Sequence, residues 1–261
     1  MKLLTLNCHS WQEENQLEKI KYLAQIIKKN DYDIIALQEV SQHIENSLCE
    51  GILREDNYML LLKNELKSIN ADNYESVWDF SHMGYDVYEE GLCLLSKHPI
   101  VENESFYITN GESKYNWKSR KVVKASVDYN GEVIDFVSCH LGWWNDEEEP
   151  FKVQVQNLNK RINNDRQTFL LGDFNNNANI RNEGYDFIKS TGWIDTYDLA
   201  YTKDEGITVK GKIDGWEENK AKLRLDLILS NKELEVKSSN VIFNGNNKKV
   251  VSDHYGVEVE L

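Results

Sequence analysis

Oxygen-bearing side chains recur where apolar runs stop, and this recurrence is the first chemical signal in the chain. TFLLGDFNNNAN stops at Asp173 and Asn175 with three more asparagines behind them, KLLTLN stops at Asn7, and DIIALQEV carries Gln38 and Glu39. VIDFVSCHL reaches His140, and Ser252-Asp253-His254 stand immediately before YGVEVEL. Alternate residues of an extended chain share a face, so Asp173 and Asn175 can point together while Phe174 packs the other way. One Gly-Asp-Phe-Asn is an ordinary strand-to-loop turn with an Asx hydrogen bond. Polar groups closing strand after strand carry more weight, because α/β folds place their sites at strand ends.

The donor types narrow the chemistry. Glu39, Asp173, Asn175, Asn7 and Asp253 offer oxygen, the hard donor that Mg²⁺ or Mn²⁺ prefers. The six histidines show no HxH or HExxH spacing and the four cysteines form no CxxC pair, which argues against zinc. His140 and His254 are then free to handle protons or to contact an anion.

These residues need strands to hold them. The pattern predicts buried strands at 2–7, 33–40, 91–96, 168–173 and 225–230, with further strands at 76–78, 122–127, 133–141 and 255–261. Helical spacing of Leu17, Ile20, Leu23, Ile26 and Ile27 predicts a helix over 15–29, and others are expected at 54–68, 151–163 and 181–190. Asn130-Gly131 signals a hairpin. Strands apolar along their whole length suit sheets covered on both faces. With no linker, repeat or composition break, residues 1–261 read as one α/β domain with two sheets sandwiched between helices.

Composition bounds the partners. A formal net charge of -14 repels polyanions, which counts against nucleic acid without excluding it. The opening MKLLTLNCHSW is too short for a signal-peptide core, and no apolar run approaches the ~20 residues of a membrane helix. Four dispersed cysteines read as reduced thiols, so a soluble cytoplasmic protein is expected.

Seven motifs taken together resemble the endonuclease/exonuclease/phosphatase superfamily: TLN (5–7), LQE (37–39), EGLCLLSKHPI (90–100), SCHL (138–141), GDFN (172–175), RLDLIL (224–229) and SDH (252–254). The resemblance implies a four-layer α/β/β/α sandwich, two mixed sheets face to face with helices outside, that cleaves phosphate esters with a divalent metal, usually Mg²⁺. It implies that Glu39 binds the metal, with Asn7, Asp173, Asn175 and Asp253 as ligands or as residues aligning water and phosphate. It further implies that His254 assists the attacking water, oriented by Asp226. His140 would donate to the scissile phosphate, with Glu90 in the matching position to orient it. In-line attack on phosphorus builds charge on equatorial oxygens, so a metal with two imidazoles suits it independently.

The superfamily does not give the substrate. A sugar phosphomonoester, a phosphodiester (nuclease or phospholipid-cleaving) and a retired, non-catalytic site are the three readings. NDEEE (145–149) would repel a phosphodiester backbone, or it is a solvated turn before a helix near Pro150. KSRKVVK (118–124) can reach one or a few phosphates but is too short to follow a polymer. Trp143 and Trp144 could stack on a sugar ring or pack in the core, while His82, Trp117, Lys118 and Arg120 fall on expected loops. TLNCHSW, EGLCLLSKHPI and HLGWW are similar to the bacterial subgroup that includes maltose 6'-phosphate phosphatases. A small-molecule phosphate ester, a sugar phosphate first, is the expected partner.

Overall fold

A computed structural model describes residues 1–261. Two large mixed sheets dominate it. The seven-stranded sheet runs, edge to edge, Ala200–Lys203, Val236–Ile242, Gly256–Glu260, Lys2–Asn7, Ile34–His43, Tyr88–Ser96 and Glu75–Gly84. The six-stranded sheet runs Ile194–Asp195, Asp226–Ser230, Thr168–Asp173, Glu132–His140, Lys121–Tyr129 and Ile100–Tyr107. Each contains one parallel pair among its central strands: Lys2–Asn7 with Ile34–His43, and Glu132–His140 with Thr168–Asp173.

Residue alternation explains the layering. In KLLTLN, Leu4 and Leu6 enter a core shared with helices Gln16–Asn30 and Tyr58–Ser68, whereas Leu3 enters the core between the sheets. In TFLLGD, Leu170 packs under helices Phe151–Asn159 and Gly184–Ser190, whereas Phe169 and Leu171 face the other sheet. Two outer cores and one central core therefore make the expected α/β/β/α sandwich. No helix is long and apolar enough to cross a membrane.

The differences from expectation are local and have local causes. The second helix begins at Tyr58 and not at 54, because the Asn57 side chain accepts from the backbone N–H of Met59 (3.0 Å) and Leu60 (3.3 Å) and caps it. The residues just before it, Leu53–Arg54, pair with Leu48–Glu50 instead. Strands Ile100–Tyr107 and Val236–Ile242 lack a continuous apolar run; the first is mostly exposed and lies at a sheet edge. The Asn130-Gly131 hairpin is present, with Tyr129 opposite Glu132 and both turn residues at positive φ.

Candidate active site

The site forms where the central core runs out. Asn7, His140, Asp173 and Asp226 each continue the face that the inner apolar residues of their own strands occupy, so all four point between the sheets at one end. Register aligns them: Asp173 lies opposite His140 on one neighbouring strand and opposite Asp226 on the other. Just beneath, a polar layer stitches the sheets, with Thr5 donating to Gln38 (3.2 Å) and Gln38 to Ser138 (3.0 Å).

Glu39 arrives by an irregularity. The pairing of Ile34–His43 shifts register between Leu37 and Val40, and Glu39 adopts φ 52, a left-handed conformation uncommon for a non-glycine residue. Asn175 is likewise left-handed, at φ 49.

The contacts define a tight cluster. The Asn7 amide donates to Glu39 Oε1 (2.7 Å) and Asp173 Oδ2 (3.2 Å). Asp173 Oδ2 sits 3.7 Å from Nε2 of both His140 and His254. The far nitrogen of His254, Nδ1, lies 2.9 Å from Asp226 Oδ2. Glu90 Oε1 stands between two rings, 3.3 Å from His82 Nε2 and 3.9 Å from His140 Nδ1. Glu90 therefore lies closer to His82, its cross-strand partner, than to His140.

Enclosure shapes the charges. Burial lifts the Asp173 carboxyl to about 6 and, with the nearby Glu39 charge, lifts Glu90 to about 8. Burial raises Glu39 too. Burial also pushes His140 well below its ordinary value, aided first by the Arg120 charge and then by the neighbouring imidazoles of His82 and His254. His82 falls to about 3 for the same first reason, then through Arg120. Burial alone would lower His254, but the Asp226 and Asp173 charges outweigh it and hold this imidazole well above the ordinary value.

Three enclosed carboxylates raised together signal negative charge short of compensation. The donor set fits a divalent cation: Glu39 and Asp173 share the Asn7 amide, and their oxygens are hard ligands. Two groups bring ligand atoms within 4.8 Å of one another, Asp173 with Asp226 and His254, and His9 with Glu13 and Asp253. Asp253 belongs to the second group. Its backbone N–H donates to Glu13 Oε1 (3.0 Å) and its carboxylate lies 3.7 Å from His9 Nδ1, outside the cleft lining.

The cluster forms part of a cleft of about 620 Å³, also lined by His82, Trp117, Lys118, Arg120 and Trp143. Trp144 is not brought there. It packs on Phe151 and Phe187, because the chain turns at Trp143, where Asp146 N–H donates to the Trp143 carbonyl (3.3 Å), and carries Trp144 away from the cleft. Asn175 reaches the cleft, yet its amide donates to the Leu141 carbonyl (2.9 Å) while its oxygen accepts from Trp216 Nε1 (3.0 Å). In NDEEE, Asp146 lines the cleft and pairs with Lys118 (2.9 Å), whereas Glu149 is buried and accepts from the backbone of Asn110 and Gly111.

Sequence reasoning missed the segment 211–221, which brings Asp214, Gly215 and Glu217 to the cleft and is tied down by a Tyr85–Asp214 hydrogen bond. A β-carbon on Gly215 would press on Trp143 at 2.6 Å. The available signal was Asp214-Gly215-Trp216, a turn pair followed by an indole in an otherwise polar stretch.

Comparison with known proteins agrees with this architecture. The model of the endonuclease/exonuclease/phosphatase family matches residues 4–254, and the chain belongs to that family. A family protein from Leptotrichia buccalis is 43% identical, with a TM-score of 0.94, covering 100% of this chain and 98% of that one. Two distant structures share the fold. A Bacteroides thetaiotaomicron mannosyl-6-phosphatase has 16% identity and a TM-score of 0.70, with 100% and 98% coverage. Truncated Caenorhabditis elegans TDP2 has 18% identity and a TM-score of 0.64, with 99% and 95% coverage. No curated protein matches. Family members are phosphoesterases and nucleases that generally use divalent metals, which supports a hydrolase here.

Proposed function

We propose that residues 1–261 form one cytosolic domain that hydrolyses a sugar phosphate monoester with Mg²⁺, for which Mn²⁺ can substitute. The observation that carries this reading is the coincidence of the acid–imidazole cluster with one cleft of about 620 Å³. That size suits a mono- or disaccharide phosphate. Trp117 and Trp143 meet edge to face at 5.9 Å and offer apolar surface to a sugar ring. The three buried cysteines and exposed Cys49 are unpaired, in keeping with a reducing compartment. A distant structural neighbour is a mannosyl-6-phosphatase, which adds a precedent for sugar phosphates on this fold.

Glu39, its carboxylate steadied by the Asn7 amide, would hold the metal, which when bound supplies positive charge to the phosphoryl group. His254, kept protonated by Asp226, steadies negative charge as it grows on the phosphoryl oxygens. Asp173, between the two imidazoles, takes the proton of the attacking water. His140 stays neutral and donates one hydrogen bond to the phosphate.

A screen reading phosphate release from sugar phosphates and nucleotides, and p-nitrophenol release from bis(p-nitrophenyl) phosphate as the diester, with Mg²⁺ and with chelator, tests the reading. Turnover of a sugar phosphate that chelator abolishes is the expected result. Turnover confined to the diester, or undiminished by chelator, would refute it.

A further inference from the structure

The chain has six arginines, and five of them grip a carboxylate: Arg54, Arg161, Arg166, Arg181 and Arg224. Arg120 grips none, although it is only 4% exposed and carboxylates line the same cleft. Its Nε is buried without a hydrogen-bond partner, and its guanidinium leans on the Trp143 ring at 5.6 Å. Beside it the Trp143 Nε1–H is a second buried donor without an acceptor. The other nearby cation is already committed, since Lys118 binds Asp146 at 2.9 Å and Glu148 at 2.8 Å.

A guanidinium withdrawn from water is stable only with charged or well-placed acceptors around it. The protein supplies none at bonding distance, so the missing partner enters the cleft from outside. It must be anionic, small and able to meet a planar fork of donors, which is the description of a phosphoryl group.

We propose that Arg120 is the binding residue that selects a phosphate monoester over a diester, gripping terminal oxygens of the dianion in the cleft that holds Glu39 and Asp173. This inference rests on the phosphoesterase reading above. A monoester carries three terminal oxygens and nearly two charges at neutral pH, where a diester has two oxygens and one charge. Once the metal side and the histidines engage two oxygens, the third meets Arg120. In a diester that corner carries an organic group, which a guanidinium cannot bind. Trp143 lies against the fork and Trp117 extends the wall, placing the ester's organic part along the indoles.

The test compares wild type, Arg120→Gln and Arg120→Lys in Mg²⁺ buffer, using a sugar phosphate, bis(p-nitrophenyl) phosphate and inorganic phosphate as a competitive inhibitor. For Arg120→Gln, monoester kcat/KM and phosphate affinity should each fall by about 10- to 100-fold, the scale of a charged hydrogen-bond pair. Diester kcat/KM should change by less than about 3-fold, well under one such bond. Arg120→Lys, which keeps the charge but loses the fork, should fall between, and it decides the matter if the glutamine variant does not fold. Equal losses on both esters, or unchanged phosphate inhibition, overturn the proposal while leaving the phosphoesterase reading intact. A wild type that cleaves neither ester refutes that reading instead.

Discussion

At the scale of single residues, position in the cluster assigns the work. His254 is buried and shares its outer nitrogen with Asp226, so its ring orientation and its proton are both held before substrate arrives. An imidazolium held in this way acts on charge that develops only during reaction. His254→Ala should therefore lower kcat by about 100- to 10,000-fold with little change in KM. Steady-state kinetics on the best substrate of the screen check this, and a loss confined to KM would contradict the role. Asn175 shows the limit of carrying roles from motif to residue. Its amide group and its oxygen are both engaged by protein atoms, Leu141 and Trp216, and the second of these contacts comes from a segment the motif does not contain.

At the scale of elements, the end of the first sheet remote from the cleft carries a pH-dependent clasp. Asp33 Oδ2 accepts from the Lys2 backbone N–H (2.7 Å) and Oδ1 lies 2.9 Å from His98 Nε2, joining three strands. Partial burial pushes the Asp33 carboxyl up, but the His98 and Lys2 bonds and the Lys97 charge outweigh it and hold the group below its ordinary value. A carboxyl lower in the folded than the unfolded state stabilises above the unfolded value, about 4, and loses that contribution as pH falls through the folded one. Asp33→Asn should thus cost about 1 kcal/mol at pH 7, a figure discounted for solvent contact, and distinctly less near pH 3. Urea unfolding at the two pH values measures the gap; an equal gap at both would remove the carboxylate as its cause.

At the scale of the whole molecule, charge and cover work in one direction. The net charge of -14 opposes a polyanion, and Asp146, Asp214 and Glu217 bring acids to the same cleft. In the basic stretch 118–124, Lys118, Lys121 and Lys124 are all paired with carboxylates, leaving Arg120 as the unpaired cation of that stretch at the cleft. Segment 211–221 further encloses the site through its contacts with Tyr85, Trp143 and Asn175. Plasmid nicking at physiological salt should accordingly be negligible beside phosphate release from the sugar phosphate, as a gel assay would show. Efficient nicking would mean that neither field nor enclosure governs access.

The sequence by itself determined the layered fold and the floor of the site. Period-two alternation assigns each strand residue a face, and the polar residue that ends an inward-facing series must lie where the central core opens. That is how Asn7, His140 and Asp173 could be read as neighbours from three distant places in the chain, whereas Asp226 entered through the family resemblance. The walls were decided only in three dimensions. Trp143 turns to the cleft and Trp144 to the core, Glu90 lies closer to His82 than to His140, and Asp253 joins His9 and Glu13. Segment 211–221 carries no strand period of its own across its turn, so nothing local says what it covers. Faces follow from chain geometry at one residue's range, whereas partners across a cleft depend on how loops from separate strands pack against one another.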